Sequence, residues 1–180
     1  IMVGEIRDRD TAEIAIRAAL TGHLVLSTLH TNDAPSAITR LTDMGVENYL
    51  LTSSLVAVLA QRLVRVICGQ CKQEERVPGA WLRSLGLPMP EQATGAEHSI
   101  FRGAGCEACA HTGFRGRVGI FELMEIGEEI RKGILANADA SSLARSARAR
   151  GMRTLPEDGW RKVRGGMTTP EEILRVTQVF

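Results

Sequence analysis

The 180-residue sequence has few aromatic residues, little net charge and no long apolar run. Aromatic side chains make up 4% of the chain, which leaves few surfaces on which nucleic-acid bases could stack. The 22 Lys and Arg residues nearly balance the 21 Asp and Glu residues, so attraction to nucleic acid or anionic lipid is not expected. The longest apolar run, 55–60, is much shorter than the roughly 20 residues that cross a bilayer. These absences predict a cytoplasmic protein with no transmembrane segment and no nucleic-acid partner.

The sequence also lacks the dipeptide that a phosphate-binding P-loop requires. In that loop, Gly-Lys followed by Ser or Thr supplies backbone amides and an ammonium group to the β- and γ-phosphates of a nucleotide. The three lysines of this chain, Lys72, Lys132 and Lys162, follow Cys or Arg instead. The chain alone is therefore predicted to be catalytically inactive.

Strands and helices alternate along the first third of the chain. Asp10 and Glu13 have the spacing of a capping box before a helix that Gly22 ends, and the short branched segment 24–29 is typical of a strand covered on both faces. The predicted strands are 1–3, 24–29 and 62–67, and the predicted helices are 12–20, 35–45 and 49–60. This alternation indicates an α/β fold with a parallel sheet.

Two functional side chains follow the first two predicted strands. Glu5 can hold a metal-bound water or polarise an attacking water in phosphoryl transfer, and His30 can donate a hydrogen bond to a terminal phosphate. Taken singly, Glu5 has a simpler explanation as a helix cap, and His30 as a partner of a neighbouring loop. However, one helix joins the two strands, and ligands of α/β sheets bind at the carboxyl ends of the strands. If the strands are neighbours, both side chains lie at one phosphate site.

The four cysteines occur as two pairs, Cys68-x2-Cys71 and Cys106-x2-Cys109. Two such pairs can complete a tetrahedral zinc site, and four protein ligands make that site structural. Disulfides are rare in cytosolic proteins, and a redox Cys-x-x-Cys would need one pair alone. His111 is an alternative ligand that could replace a thiolate. We therefore predict a structural Zn²⁺ bound by all four cysteines.

The residue pattern of the rest of the chain predicts a loop-rich insertion followed by one strand and several helices. Pro and Gly residues interrupt 77–97 between the two cysteine pairs. A strand is predicted at 116–124, and helices are predicted at 127–135, 141–150 and 169–176. The predicted domains are the α/β core at 1–67, a zinc subdomain at 68–115, and a returning strand with a helical subdomain at 116–180.

Several segments in combination resemble the motor ATPases of type II secretion and type IV pilus assembly, the general secretory pathway protein E-like family. The segments that carry the resemblance are 3–8, 21–32, 60–65, both cysteine pairs, 116–122, 151–155 and 168–177. The resemblance extends over essentially the whole chain. It implies the C-terminal part of a RecA-like P-loop NTPase core, with a four-cysteine zinc-binding insertion and a helical C-terminal subdomain.

The resemblance also implies roles for individual residues in a longer protein that binds ATP and Mg²⁺. Gly4-Glu5 matches the family's Walker B motif, with Gly in the usual place of Asp and Glu5 as the catalytic acid. His30 ends the family's His box, 23–30, and faces the γ-phosphate. Arg62 and Arg65 match an arginine pair near the nucleotide.

Family members work as homo-hexamers that bind inner-membrane secretion or pilus platform proteins, so the resemblance implies a cytoplasmic protein held at that membrane by its partners. It also implies that the P-loop and an N-terminal domain precede the part covered by this chain. Two other functions stay open: a zinc-stabilised protein-interaction module, and a RecA-like nucleic-acid motor, which the near-neutral charge and scarce aromatics disfavour.

Overall fold

The computed structural model describes residues 1–86 and 95–177, which contain helices, four strands and one 3-10 turn. The helices are α1 (Arg9–Leu20), α2 (Pro35–Asp43), α3 (Asn48–Ser54), α4 (Gly79–Ser84), α5 (Glu128–Leu135), α6 (Ala140–Ala149), α7 (Leu155–Arg164) and α8 (Pro170–Thr177). The strands are β1 (Ala57–Ile67), β2 (Lys72–Pro78), β3 (Glu97–Gly103) and β4 (Phe114–Glu125), and the 3-10 turn is Glu107–Cys109. β1 pairs with β4, and β2 pairs with β3. None of the helices within the described residues is long and apolar enough to cross a membrane.

The chain divides into two units, and each is built from two separate stretches. The first unit consists of Ile1–Ala60 and Glu122–Met152, and the second consists of Gln61–Phe121 and Arg153–Phe180. The dividing points therefore fall inside β1 and β4. The division into three domains made from the sequence stays a prediction.

In the first unit, two N-terminal segments pair in parallel, as the α/β pattern predicts. The N–H of Val3 donates to the carbonyl of Leu26 at 2.9 Å, and the N–H of Leu26 donates to the carbonyl of Ile1 at 3.0 Å. The regular pairing is limited to one bridge, Met2 with Leu26. The prediction that 24–29 is covered on both faces is wrong for the part of the chain described here, because Leu24 and Leu26 are more than half exposed.

The core of the first unit lies between α1, α2, α3, α5 and α6. Its buried apolar side chains are Ala12, Ile16, Ala34, Ile38, Leu41, Val46, Leu51, Met124, Ile126, Ile130, Ile134, Leu143 and Ala147. Leu29 and Ile6 pack against this cluster from the segments that carry the predicted phosphate site. The site is therefore attached directly to the core of its unit.

Two predicted boundaries in this unit differ from the structure. α1 is capped by Asp8 rather than Asp10, because Asp8 is extended and its Oδ1 accepts the N–H of Thr11 at 2.8 Å. The predicted helix at 49–60 ends at Ser54, and Ala57 begins β1. Apolar runs of this length fit either a helix or a strand, and the β-branched Val56 and Val58 favour the extended form.

The second unit holds a hairpin that the sequence did not predict. β2 and β3 are antiparallel, from the pair Lys72–Gly103 to the pair Pro78–Glu97. Together with α4 they occupy 77–84 and 97 of the loop predicted at 77–97, of which 87–94 lies outside the described residues. The hairpin has a weak sequence signal because β2 is mostly charged and mostly exposed.

Helix α7 was also not predicted, although its N-terminus carries a capping box. The hydroxyl of Thr154 accepts the N–H of Glu157, and the Glu157 carboxylate accepts the N–H of Thr154 at 2.8 Å. Gly159, which obscures the helical pattern, lies in the middle of α7 where the helix approaches Ile173 on α8. A Cβ at Gly159 would come within 2.7 Å of Ile173 Cδ1, so glycine allows the close packing of these helices.

We expect Gly159→Ala to lower the free energy of unfolding by about 1–3 kcal/mol, because the added methyl group overlaps Ile173. The matched control is Gly165→Ala, where the new Cβ meets its nearest atom at 3.5 Å. Urea unfolding of both variants measures the difference. Equal stabilities of the two variants would show that α7 and α8 pack less closely than described.

Candidate functional site

The parallel pairing in the first unit brings Glu5 and His30 together. The hydroxyl of Thr28 donates to the carbonyl of Gly4 at 2.7 Å, and the N–H of Ile6 donates to the carbonyl of Thr28 at 3.0 Å. These bonds align the two segments up to the residues that carry the predicted site. His30 Nε2 then lies 3.0 Å from Glu5 Oε1.

Glu5 also binds Arg7, a contact that the sequence analysis missed. Arg7 Nη2 lies 2.6 Å from Glu5 Oε2. The hydrogen bond from Arg7 lowers the pKa of the Glu5 carboxyl, and the charges of Arg7 and His30 act in the same direction against the opposing effect of burial. The spacing gives a usable signal, because residues two apart in an extended segment point the same way.

The two side chains of the site differ in exposure, which matches different chemical tasks. The Glu5 side chain is 22% exposed and the His30 side chain is 87% exposed. A partly shielded carboxylate can accept a hydrogen bond from water or from a metal-bound water, and an exposed imidazole can donate to a ligand. This pair of one acceptor and one donor therefore fits a Mg²⁺-bound phosphate. The catalytic roles of both residues stay predictions.

His23, at the other end of the predicted His box, lies at the C-terminus of α1. Its Nδ1 is 3.1 Å from the Thr21 hydroxyl, which donates to the carbonyl of Ala18 at 2.8 Å. His23 thus contacts the end of a helix.

Arg62 and Arg65 lie on β1 in the second unit, where Arg65 is part of an ion-pair cluster. Arg65 Nη2 is 2.6 Å from Glu172 Oε1, and the Arg65 N–H donates to Glu172 Oε2 at 3.0 Å. The Arg65 guanidinium also lies 4.2 Å from the centre of the Phe114 ring. These contacts give Arg65 a structural role in its own unit, and its predicted contact with nucleotide stays a prediction.

Glu172 is 2% exposed and is the centre of this cluster. It also accepts two hydrogen bonds from Arg175, at 3.0 and 2.9 Å. Burial raises the pKa of Glu172, but the hydrogen bonds from Arg65 and Arg175 outweigh burial and bring the pKa to about 2. No sequence signal identifies this pair, because 107 positions separate Arg65 from Glu172.

The four cysteine sulfurs form one cluster in the second unit, within 4.8 Å of one another. Cys68 and Cys106 Sγ are 3.9 Å apart, and the pairs Cys71–Cys109 and Cys106–Cys109 are each 3.8 Å apart. All four cysteines are free, so the disulfide alternative does not apply. Four sulfurs placed tetrahedrally at about 2.3 Å from a Zn²⁺ ion lie about 3.8 Å apart, so the cluster fits the metal.

Backbone N–H groups point at the sulfurs and favour their thiolate form. Cys106 and Gly113 donate to Cys109 Sγ, and Gly105 donates to Cys71 Sγ, each at 3.3 Å. The bond from Cys106 lowers the pKa of the Cys109 thiol to about 6, whereas burial raises the pKa of Cys71. Within the described residues, the cluster of metal-ligating atoms contains the four sulfurs and not His111.

Glycines allow the two cysteine turns to come this close. A Cβ on Gly103 would overlap the carbonyl oxygen of Gly113, which accepts the N–H of Cys68 at 2.9 Å. Gly113 also has a φ of 75°, in the left-handed region that favours glycine. The glycines beside the cysteine pairs are therefore part of the site.

The chain matches one family and several curated proteins along almost its whole length. The family described as Type II/IV secretion system protein matches residues 1–175. The type IV pilus assembly ATPase PilB of Thermus thermophilus is 51% identical over 98% of this chain and 20% of its own length. The type II secretion system protein E of Pseudomonas aeruginosa is 51% identical over 99% of this chain and 34% of its own length. The chain thus spans about a fifth to a third of these relatives.

Solved structures of two proteins have a fold similar to that of this chain. A crystal structure of the pilus retraction motor PilT with bound ADP has a TM-score of 0.65 and 26% identity, and the match covers 99% of this chain and 39% of PilT. The Legionella pneumophila ATPase DotB has a TM-score of 0.61 over 98% of this chain and 37% of its own, and its 21% identity supports the fold alone. The predicted α/β ATPase fold is confirmed at this level.

An informative destabilising change in the second unit is Glu172→Gln, which removes the charge that both arginines bind. We expect it to lower the free energy of unfolding near pH 7 by about 2 kcal/mol. The folded pKa of about 2 lies below the ordinary value of 4.5, so this stabilisation is complete above pH 4.5 and is lost as the pH falls toward 2. Urea unfolding of wild type and variant should therefore converge as the medium is acidified.

The matched control is Glu171→Gln on the same helix. Glu171 is more exposed and pairs with Arg102, so its loss should cost less than about 1 kcal/mol. If Glu171→Gln were as destabilising as Glu172→Gln, the buried cluster would have no special importance.

Proposed function

Because the chain belongs to the type II/IV secretion system protein family, we propose that it forms the C-terminal part of a cytoplasmic RecA-like ATPase. The ATPase powers type II protein secretion or type IV pilus assembly. Relatives with these names are about half identical to the chain along almost its whole length. The observation that carries the proposal is the pairing of Glu5 with His30 at the end of two parallel segments.

In the proposed reaction, Glu5 is the catalytic carboxylate and His30 contacts the γ-phosphate. Glu5 is a carboxylate, and the bond from Arg7 lowers its pKa further, so it can orient and polarise the attacking water. His30 is exposed enough to reach a phosphate while its Nε2 faces Glu5. Mg²⁺, when bound, supplies charge neutralisation at the phosphates.

Arg62 and Arg65 are the proposed additional nucleotide contacts. Arg65 already binds Glu172, so a nucleotide would have to share or replace that partner. The Arg65 side chain is 48% exposed, which leaves part of the guanidinium accessible. The 180 residues contain no Gly-Lys dipeptide, so we assign the binding of the β- and γ-phosphates to a P-loop elsewhere in the full-length protein.

We further propose that Cys68, Cys71, Cys106 and Cys109 hold a structural Zn²⁺. The support is the close spacing of the four sulfurs and the N–H groups that face them. The metal would link β1 to the turn before β4 within the second unit. Such sites contribute roughly 10 kcal/mol or more of apparent binding energy to folding.

The proposed assembly is a homo-hexamer that binds secretion or pilus platform proteins at the inner membrane. The family resemblance implies this assembly, and the names of the relatives support either a secretion system or a pilus as the apparatus that it serves. The second candidate function is a zinc-stabilised interaction module, which the organised cysteine cluster favours. ATP hydrolysis by the full-length protein separates the two, because an interaction module would need no Glu5–His30 pair.

In the full-length protein, we expect Glu5→Gln and His30→Ala each to lower kcat for Mg-ATP by about a hundredfold or more. Glu13→Gln is the control, because Glu13 is a partly exposed carboxylate that pairs with Arg9 and Arg17 on α1, away from Glu5 and His30. Steady-state phosphate release measures all three. The 180-residue chain alone should release no phosphate, since it lacks a P-loop lysine.

Unchanged turnover in both Glu5→Gln and His30→Ala would contradict the catalytic assignment. Steady hydrolysis by the 180-residue chain alone would contradict the argument from the missing lysine.

For the cysteine cluster, we expect one zinc ion per chain in fully reduced, unchelated protein. Cys71→Ser should lose the metal, because three thiolates remain where four are needed. His111→Asn should keep it; asparagine tolerates the φ of 59° at this position. Atomic absorption gives the metal content of each variant. Metal-free wild-type protein, or equal metal loss in both variants, would exclude the four-cysteine site.

A further inference from the structure

Glu122 is a buried carboxylate that the proposed reaction does not use. It lies on β4 in the first unit, on the buried face that also carries Met124, and it is 4% exposed. Its Oε1 accepts the N–H of Ala34 at 2.8 Å in a buried hydrogen bond. Burying a carboxylate is unfavourable unless its partners compensate, and the N–H of Ala34 is one of the partners of Glu122.

Capping of helix α2 does not by itself explain why Glu122 is buried against Ala34. Ala34 is the residue before α2, and α2 already has a local carboxylate at its N-terminus, since Asp33 Oδ1 accepts the N–H of Ser36 at 2.8 Å. Asp33 is local in sequence, whereas Glu122 reaches Ala34 from 88 positions away. What Glu122 adds is a fixed connection between β4 and the segment that precedes α2.

That segment is the short loop that follows His30. Ala34 is four residues after His30 and is fully buried. Within the loop, the Thr31 hydroxyl donates to the carbonyl of Asp33 at 3.0 Å, which makes residues 31–34 compact. A displacement of Ala34 would therefore be transmitted to His30 through a short and internally bonded stretch.

His30 depends on its backbone for its position because its own side chain is 87% exposed. On one side of His30, Thr28 is bonded to Gly4 and Ile6, and Leu29 packs on the core. On the other side, the bond between Ala34 and Glu122 connects the loop to β4. Together these two attachments determine where the imidazole lies relative to Glu5.

We propose that Glu122 is a positioning residue, which sets the distance between His30 and Glu5 by holding the N–H of Ala34. The catalytic meaning of this distance rests on the proposed function. In this role Glu122 acts through the backbone of Ala34 and not on the phosphate or the attacking water. Small errors in the placement of a reacting group lower the rate of the chemical step more than they lower binding.

The first test uses the full-length protein and Mg-ATP hydrolysis. Glu122→Ala should lower kcat about tenfold and leave KM for ATP within about twofold. Glu122→Gln should recover most of the rate, because its amide oxygen can accept the N–H of Ala34. Glu125→Ala, an exposed carboxylate on the same strand, is the matched control and should behave as wild type.

A double variant separates positioning from general destabilisation. If Glu122 acts through His30, Glu122→Ala should lower kcat no further in a His30→Ala protein. An equal loss in both backgrounds, or a Glu122→Gln variant as slow as Glu122→Ala, would overturn the proposal.

The second test uses NMR of the 180-residue chain and does not depend on catalysis. Glu122→Ala should speed hydrogen exchange of the Ala34 amide by about tenfold and move the imidazole signals of His30 but not those of His98 in the second unit. Glu122→Gln should do neither. Unchanged Ala34 exchange and His30 signals in Glu122→Ala would refute positioning. If these signals change while His30→Ala leaves full-length turnover intact, the proposed function fails and the structural part of the inference stands.

Discussion

The parallel hydrogen bonds between residues 1–6 and 24–28 are the constraint on which the candidate site depends. They align the ends of two segments that are joined by α1, and so they place Glu5 and His30 3.0 Å apart. A one-residue shift of either segment would turn its own side chain to the opposite side, and the two groups would no longer meet. Arg7 completes the arrangement from the next position on the same side of its segment.

Two buried glutamates organise the chain in different ways. Glu172 is surrounded by Arg65 and Arg175, so its charge is matched by charge and its pKa falls to about 2. Glu122 binds the N–H of Ala34, so it ties the loop after His30 to β4. The cysteine cluster also joins distant segments, and one of its members, Cys68, directly follows β1. Each contact joins segments that are far apart in sequence within one unit.

Local patterns predicted the cysteine cluster and the pairing of Glu5 with His30 because their spacing carries the geometry. Two residues between cysteines match a tight turn, and one helix between two strands matches a parallel pair. The same reasoning failed for 49–60, where an apolar run fits both a helix and a strand, and for β2, whose charged residues hide its extended conformation. Gly159 concealed α7, although its capping box is visible in the sequence.

The sequence by itself therefore determined the family, the α/β character, the four thiols and the proximity of Glu5 to His30. These features depend on residue types and on short spacings, which a linear reading retains. Only the tertiary structure decided that Glu172 neutralises Arg65, that Glu122 holds Ala34, and that Leu24 and Leu26 are exposed in this chain. The physical reason is that burial and the pairing of charges depend on which distant segments meet, and those contacts leave no periodic signal along the chain.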